Sequence, residues 1–275
     1  MKVVLFCGGL GTRLRGTSDG LPKPMVPIGY RPVLWHVMNY YAYYGHKDFI
    51  LCLGYQADTI KEYFLNYNEC ISNDFVLSKG GKKLTLLKRD IDDWNITFVD
   101  TGLNSNVGQR LKAVQKYVEN ESLFLANYSD GLTDLHLPSM IDYCVARNKC
   151  AAFVSVKPSH SFHVVTARED SLVTSICSAA QSDIWINGGY FVFKGEIFEH
   201  IRDGEELVEQ PFGRLIEKEQ LVGYRYEGFW AALDTFKDKQ RLDDLYAKGE
   251  APWEVWKNKP SPDNTAVNAA ARPPL

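Results

Sequence analysis

Short, continuously apolar runs alternate along this chain with longer stretches in which apolar positions recur every three or four residues. Residues 3–7 (Val-Val-Leu-Phe-Cys) form the first such run and predict a strand buried on both faces. Residues 33–41 (Val-Leu-Trp-His-Val-Met-Asn-Tyr-Tyr) then carry apolar side chains at helical spacing, and residues 49–55 return to a strand-length run. The alternation continues with a helix over 57–66, a strand over 95–102 that ends in Asp-Thr-Gly, and a helix over 107–118. One more apolar strand, 123–131, has an acid near its carboxyl end. This order predicts an α/β protein with a doubly wound, mostly parallel, Rossmann-like sheet. In such sheets ligands bind outside the carboxyl ends of the strands, where Gly8–Gly11, Thr101-Gly102 and Asp130 all fall.

Beyond residue 150 the texture changes. Short strands are predicted at 151–156, 162–166, 172–176 and 188–193, a small β-rich extension on the substrate side of the sheet. The segment 246–256 reads as helical. We therefore expect one domain over 1–256, with a nucleotide-binding half (1–150) and an acceptor-binding half (151–256). A flexible tail over 257–275 is rich in Pro, Ala and Asn.

Composition narrows the class of ligand. A formal charge of −3 provides no basic field for nucleic acid or an anionic membrane, so the expected partners are small molecules. No apolar stretch approaches the ~18 residues that span a bilayer, and the first apolar run is interrupted at Gly8 as a strand would be. A cytoplasmic protein is expected. The six cysteines are scattered, without a C-x-x-C pair or a histidine at zinc-ligand spacing, and read mostly as buried thiols. His36, His46 and the tyrosines at 40, 41, 43 and 44 read as core or interface residues, with self-association through the tyrosines as the alternative.

The candidate chemistry begins at the turn after the first strand. Glycines at 8, 9 and 11 let backbone N–H groups approach a phosphate chain, and Arg13 with Lys23 (in Pro22-Lys23-Pro24) adds two cations. The spacing is not G-x-G-x-x-G, which argues against a dinucleotide-dependent oxidoreductase, and no Gly-Lys-Ser/Thr follows for a P-loop. Polyphosphate chemistry usually requires Mg²⁺ held by one or two carboxylates. Asp130 at a strand end is the first candidate; Asp234, behind the apolar segment 229–233, is the second or else a helix start.

Together, Gly8-Gly9-Leu10-Gly11-Thr12-Arg13-Leu14 and Pro22-Lys23-Pro24-Met25 resemble the signature of the sugar-1-phosphate nucleotidyltransferases. Ile186-Asn187-Gly188-Gly189, Gly228-Phe229-Trp230 and Leu233-Asp234-Thr235 extend the resemblance, several stretches of which are similar to the cytidylyl branch in particular, Val99-Asp100-Thr101-Gly102 with Ser105 and Arg110 after it among them. The resemblance covers residues 1 to about 256 and implies Mg²⁺-dependent transfer from CTP to a sugar 1-phosphate, by default glucose 1-phosphate, in a homo-oligomer. It also implies site roles. Phe6, Cys7, Gly8, Gly9 and Leu10 would cradle base and ribose, and Gly11, Thr12 and Arg13 would bind the triphosphate. Lys23 and Arg110 would neutralise phosphate charge, while Ser105 and Ser129 would lie along the nucleotide. Asp130 and Asp234 would hold the metal, and His163, Asn187, Gly188 and Gly189 the acceptor. The acceptor half departs from the pattern: the family's Glu-Lys-Pro is Ser178-Ala179-Ala180 here, and its Arg-Phe-Gly is Ser161-Phe162-His163. The cytidylyl Thr-Gly-Gly-Arg reads Val107-Gly108-Gln109-Arg110. A modified acceptor (another sugar phosphate, a polyol phosphate or a phosphonate) and a non-catalytic nucleotide-binding homologue are the alternatives.

Overall fold

The computed structural model describes residues 1–9, 20–87, 89–158 and 162–257. Leu10, Gly11, Thr12, Arg13, Ser161 and the tail from residue 258, for which expectations were set out above, lie outside the described residues.

Strand β1 (Lys2–Phe6) sits near the middle of a seven-stranded sheet. The first crossover runs through α1 (Val33–Tyr43) after a small ribbon of β2 (Pro27–Ile28) and β3 (Arg31–Pro32), and returns as β4 (Asp48–Leu53), parallel to β1. After α2 (Ala57–Leu65) and α3 (Glu69–Ser72), a hairpin of β5 (Phe75–Ser78) and β6 (Lys83–Leu86) leads to β7 (Asn95–Asp100), parallel to β4. The helix expected over 107–118 is two, α4 (Val107–Ala113) and α5 (Gln115–Val118), because Val114 leaves helical geometry at ψ 5°. Strand β8 (Leu123–Asn127) then returns beside β1.

The strand expected over 123–131 divides after Asn127. Ser129 adopts φ 65°, a left-handed turn held by Asn127 Oδ1 accepting from the Ser129 N–H at 2.7 Å, and β9 (Gly131–Thr133) leaves the main sheet. After α6 (Leu137–Arg147), the remaining strands are β10 (Ala151–Val156), β11 (His163–Ala167), β12 (Val173–Ser178), β13 (Ile186–Lys194), β14 (Leu221–Tyr226) and β15 (Trp230–Ala232), with α7 (Gln210–Glu217) before β14. The sheet order is β14-β10-β13-β8-β1-β4-β7, and β13 alone is antiparallel to its neighbours. Thus β10, β13 and β14 continue the same sheet as β1, β4, β7 and β8, and of the strands expected beyond residue 150 the hairpin β11–β12 stands apart from it. Helix α8 spans Phe236–Ala247, so the helix expected over 246–256 lies ten residues earlier. Residues 248–257 form turns that seat Trp253, 1% exposed, in the core.

Both faces of the sheet are covered, as the unbroken apolar strands require. Val3, Leu5 and Leu51 face the cluster built with α1 and α6, whereas Val4, Phe6, Ile50 and Cys52 face the cluster built with α4, α5 and α7. Tyr40 and Tyr41 are interior, and Tyr40 Oη donates to the Leu135 carbonyl at 2.7 Å, so they are unavailable for self-association. His36 is buried as well. Burial pushes its pKa down to about 4, and Trp253 Nε1 donates to its Nδ1 at 3.3 Å, which makes it a neutral core histidine. All six cysteines are free, and Cys7, Cys52, Cys144 and Cys150 are buried. Among the described residues no helix is long and apolar enough to cross a membrane.

Candidate functional site

The carboxyl edge of the central strands gathers most of the candidate residues. Phe6, Gly9, Lys23, Pro24, Tyr128, Ser129 and Asp130 line one cleft there. Ser129 is 1% exposed and its Oγ donates to the Phe6 carbonyl at 2.8 Å, which ties the end of β1 to the turn after β8. In this orientation the Ser129 side chain braces the cleft floor.

Asp130 and Asp234 are 104 positions apart, and the ribbon β9–β15 brings them together. Gly131 pairs with Ala232 and the Leu233 N–H donates to the Asp130 carbonyl at 2.9 Å, so the residues just beyond this ladder are the two acids. Asp234 is not the helix cap. Thr235 takes that role, its hydroxyl accepting from the Asp238 N–H at 3.2 Å, and the Asp234 carboxylate turns toward the cleft.

Between the acids stands Lys23, at the start of a short 3₁₀ turn. Its Nζ lies 2.5 Å from Asp130 Oδ2 and 2.6 Å from Asp234 Oδ1. Burial acts to lower the Lys23 pKa, but the two carboxylates outweigh it and the ammonium is held charged above its ordinary range. Burial pushes the Asp130 carboxyl up; Lys23 pulls it back and Asp234 adds to the rise. Two carboxylates thus converge on one cation, with a formal charge of −1 for the trio. That donor set fits Mg²⁺, which takes one or two carboxylates and fills its remaining positions with phosphate oxygens and water. Among the described residues no group of three or more His, Cys, Asp or Glu forms a cation cage.

Arg110 departs from expectation. It is 4% exposed, and its guanidinium donates to the carbonyls of Leu53 (3.1 Å), Gly102 (2.9 Å) and Gly8 (2.9 Å) and to Thr101 Oγ1 (2.7 Å). Instead of reaching into the cleft toward phosphate, it lies beneath the glycine turn and binds together the ends of β1, β4 and β7. This explains two glycines. A Cβ at Gly8 would come within 2.1 Å of Arg110 Nη1, and one at Gly54 within 2.8 Å of the same atom. Ser105 lies beside this cluster, its Oγ donating to the Thr101 carbonyl at 2.5 Å. Cys7 is buried under the same turn, and burial pushes its thiol up to about 12, so it is an inert part of the floor.

Among the residues expected to hold the acceptor, Asn187 Nδ2 donates to Tyr128 Oη at 3.1 Å and the Tyr128 N–H to the Gly189 carbonyl at 3.2 Å. Gly188 is fixed from the other direction by Trp230 Nε1, which donates to its carbonyl at 2.8 Å. Asn187, Gly188 and Gly189 therefore adjoin the cleft. His163 does not. It is exposed at the start of β11, paired across the hairpin with Ser178, while the Ala179 N–H donates to the Phe162 carbonyl at 2.8 Å. Both departures from the family pattern therefore meet at the base of one hairpin. Sequence reasoning gave no site role to Tyr128, Thr101 or Trp230; Thr101 was marked as lying at a strand end and Trp230 as part of Gly228-Phe229-Trp230, whereas Tyr128 was signalled only by its place before Ser129-Asp130.

A doubly wound sheet with Gly8 and Gly9 following its first strand and two carboxylates sharing a cation at the carboxyl edge defines an α/β protein suited to phosphorylated ligands. The chain belongs to the nucleotidyl transferase family, which it matches over residues 2–235. It is 38% identical to the glucose-1-phosphate cytidylyltransferase of Salmonella typhimurium over 258 residues, 93% of this chain and 100% of that protein. Among solved structures, HddC from Yersinia pseudotuberculosis superimposes with a TM-score of 0.64 at 21% identity, covering 89% of this chain and 99% of that one. A UDP-glucose pyrophosphorylase complexed with UDP-glucose superimposes at 0.65 and 13% identity, over 90% and 98% of the two chains. These two structures share the fold.

Proposed function

We propose that this protein transfers a cytidylyl group from CTP to a sugar 1-phosphate, with glucose 1-phosphate as the default acceptor, releasing diphosphate. The observation that carries the reading is the Asp130–Lys23–Asp234 trio at the mouth of the glycine turn. The extended likeness to a glucose-1-phosphate cytidylyltransferase supports the choice of nucleotide and acceptor.

A phosphate oxygen of the acceptor is already an anion at neutral pH, so it attacks the α-phosphorus of CTP without a protein nucleophile. The protein's task is positioning and charge stabilisation. Asp130 and Asp234 would hold Mg²⁺, which supplies charge stabilisation to the phosphate oxygens when bound. Lys23 neutralises the carboxylates in the ligand-free protein and is placed to stabilise negative charge on the departing diphosphate. Phe6, Gly9, Tyr128 and the turn braced by Ser129 shape the nucleotide side; Asn187, Gly188 and Gly189 shape the acceptor side. We further propose a cytoplasmic homo-oligomer working in nucleotide-sugar synthesis.

The direct test is diphosphate release in the presence of Mg²⁺ from each of CTP, UTP, dTTP, ATP and GTP, against a panel of sugar 1-phosphates and phosphonates. Release with CTP and a sugar 1-phosphate is the expected result; release only with another nucleotide, or none with any, overturns it. His163→Ala is expected to leave the KM values for acceptor and CTP unchanged, because His163 is exposed on the β11–β12 hairpin away from the cleft. An acceptor KM raised about fivefold, the size of one lost neutral hydrogen bond, would return His163 to the acceptor site.

A further inference from the structure

On the acceptor side of the sheet, two cations share one aromatic ring. Lys157 follows the last residue of β10; its ammonium donates to the Ser182 carbonyl and lies 4.5 Å from the centroid of the Trp185 indole. Arg225 of β14 brings its guanidinium within 5.2 Å of the same ring. Strand register makes them neighbours. Ser155 of β10 pairs with Arg225, and Val156 pairs with Ile186, the residue after Trp185. All three side chains therefore belong to the edge where β10 and β14 end and β13 begins, the ligand-binding edge of an α/β sheet.

Neither cation has a carboxylate partner within ion-pair distance among the described residues. Lys23, Arg31, Arg214 and Lys239, by contrast, each face one. Two uncompensated positive charges converging on one ring at this edge form an electrostatic setting for an anion, with the indole fixing the stems of both cations. The strand links this place to the cleft lining. Trp185 stands two residues before Asn187, which donates to Tyr128, and three before Gly188, which accepts from Trp230. Ser182 closes the short turn that begins at Ala179, its hydroxyl donating to the Ala179 carbonyl at 2.7 Å. That turn carries no cation of its own in Ala179-Ala180, and Lys157 reaches it from β10.

We infer that Lys157 and Arg225, braced on Trp185, bind an oxyanion of the acceptor substrate. The inference rests on the proposed reading of this site as one that takes a phosphorylated acceptor. The oxyanion is either the reacting phosphomonoester or a second anionic group on the acceptor. Arg225 offers a planar fork of donors and Lys157 a point charge, a combination suited to phosphate or carboxylate oxygens.

The test compares the unmodified protein with Lys157→Met, Arg225→Met and the double variant. Methionine keeps an unbranched stem against Trp185, so loss of charge is separated from loss of packing. Steady-state diphosphate release is measured with CTP and either glucose 1-phosphate or glucuronic acid 1-phosphate, and calorimetry measures binding of each ester and of CTP without requiring turnover. The expected result is an acceptor KM and acceptor Kd raised about tenfold or more by each single variant, with CTP binding unchanged and part of the loss recovered by Lys157→Arg. Equal losses for both esters assign the reacting phosphate; a loss confined to the glucuronate ester assigns the second anion. Unchanged acceptor constants overturn the inference, as does failure of the unmodified protein to bind either ester. CTP binding and diphosphate release by the unmodified protein judge the cytidylyl reading separately.

Discussion

Asp130→Asn is expected to lower kcat by roughly a thousandfold or more while the protein remains folded, since the carboxylate charge is central to holding a catalytic metal. The geometry makes the stability half of this expectation specific. Asp130 is ion-paired with Lys23 in a place where burial disfavours its charge, and burial raises its carboxyl above the ordinary value. A group whose pKa is raised on folding contributes most stability at pH values below its unfolded pKa and loses that contribution as pH rises through the folded one. The charge on Asp130 is therefore a cost that grows as pH rises and that Asn removes, set against the weaker hold on Lys23, which retains Asp234 at 2.6 Å. The melting temperature should stay within a few degrees of the original or rise. Turnover close to normal would sink the metal assignment; loss of the fold would mean that the acid has a structural role instead. Activity bought at the expense of stability is the usual signature of a functional carboxylate.

Arg110→Ala should have the opposite profile. The guanidinium donates to three main-chain carbonyls at 2.9–3.1 Å and to Thr101 Oγ1 at 2.7 Å, and its removal takes a donor from each; the Leu53 carbonyl retains the Thr101 N–H and hydroxyl, whereas the Gly8 carbonyl retains a long bond from the Tyr55 N–H at 3.4 Å. A destabilisation of about 3–5 kcal/mol is expected, as for breaking other buried charged networks, with nucleotide binding lost because the turn at Gly8 loses its support. Lysine, lacking the fork, should rescue little. Chemical denaturation measures this directly. A variant with unchanged stability but weakened CTP binding would restore the reading of Arg110 as a phosphate ligand.

The two predictions separate residues that the sequence placed in one group. Arg110 and Lys23 were both expected to neutralise phosphate charge, Arg110 through the family resemblance alone and Lys23 also as a basic residue close behind the glycine-rich segment. Arg110's partners are backbone carbonyls, which every residue possesses and no sequence pattern marks. Lys23's partners are acids 107 and 211 positions away. The first half of the sheet was legible for a different reason: strands buried on both faces must be apolar throughout, and β1, β4 and β8 declare themselves that way. The helix break at Val114, the division of the strand at Ser129 and the true place of α8 were hidden. Local spacing is compatible with a longer helix or strand, and tertiary contacts end each one. Tyr40 and Tyr41 show the converse, since their helical spacing was compatible with core or interface and packing chose the core.

What the sequence determined by itself was the alternation that makes a parallel sheet, the glycine turn at its carboxyl edge, and the stock of residues able to handle phosphate and a metal. These are local properties, set by side-chain period and backbone freedom over a few residues. The tertiary structure decided which of those residues meet. The ribbon β9–β15 made one site of Asp130 and Asp234, Lys23 was drawn between them, and Arg110 was turned under the floor. The register of β10, β13 and β14 set Lys157 and Arg225 on one indole. Coulomb energy and hydrogen bonding act over a few ångströms of space, whatever the separation along the chain, and that proximity exists only once the sheet has formed.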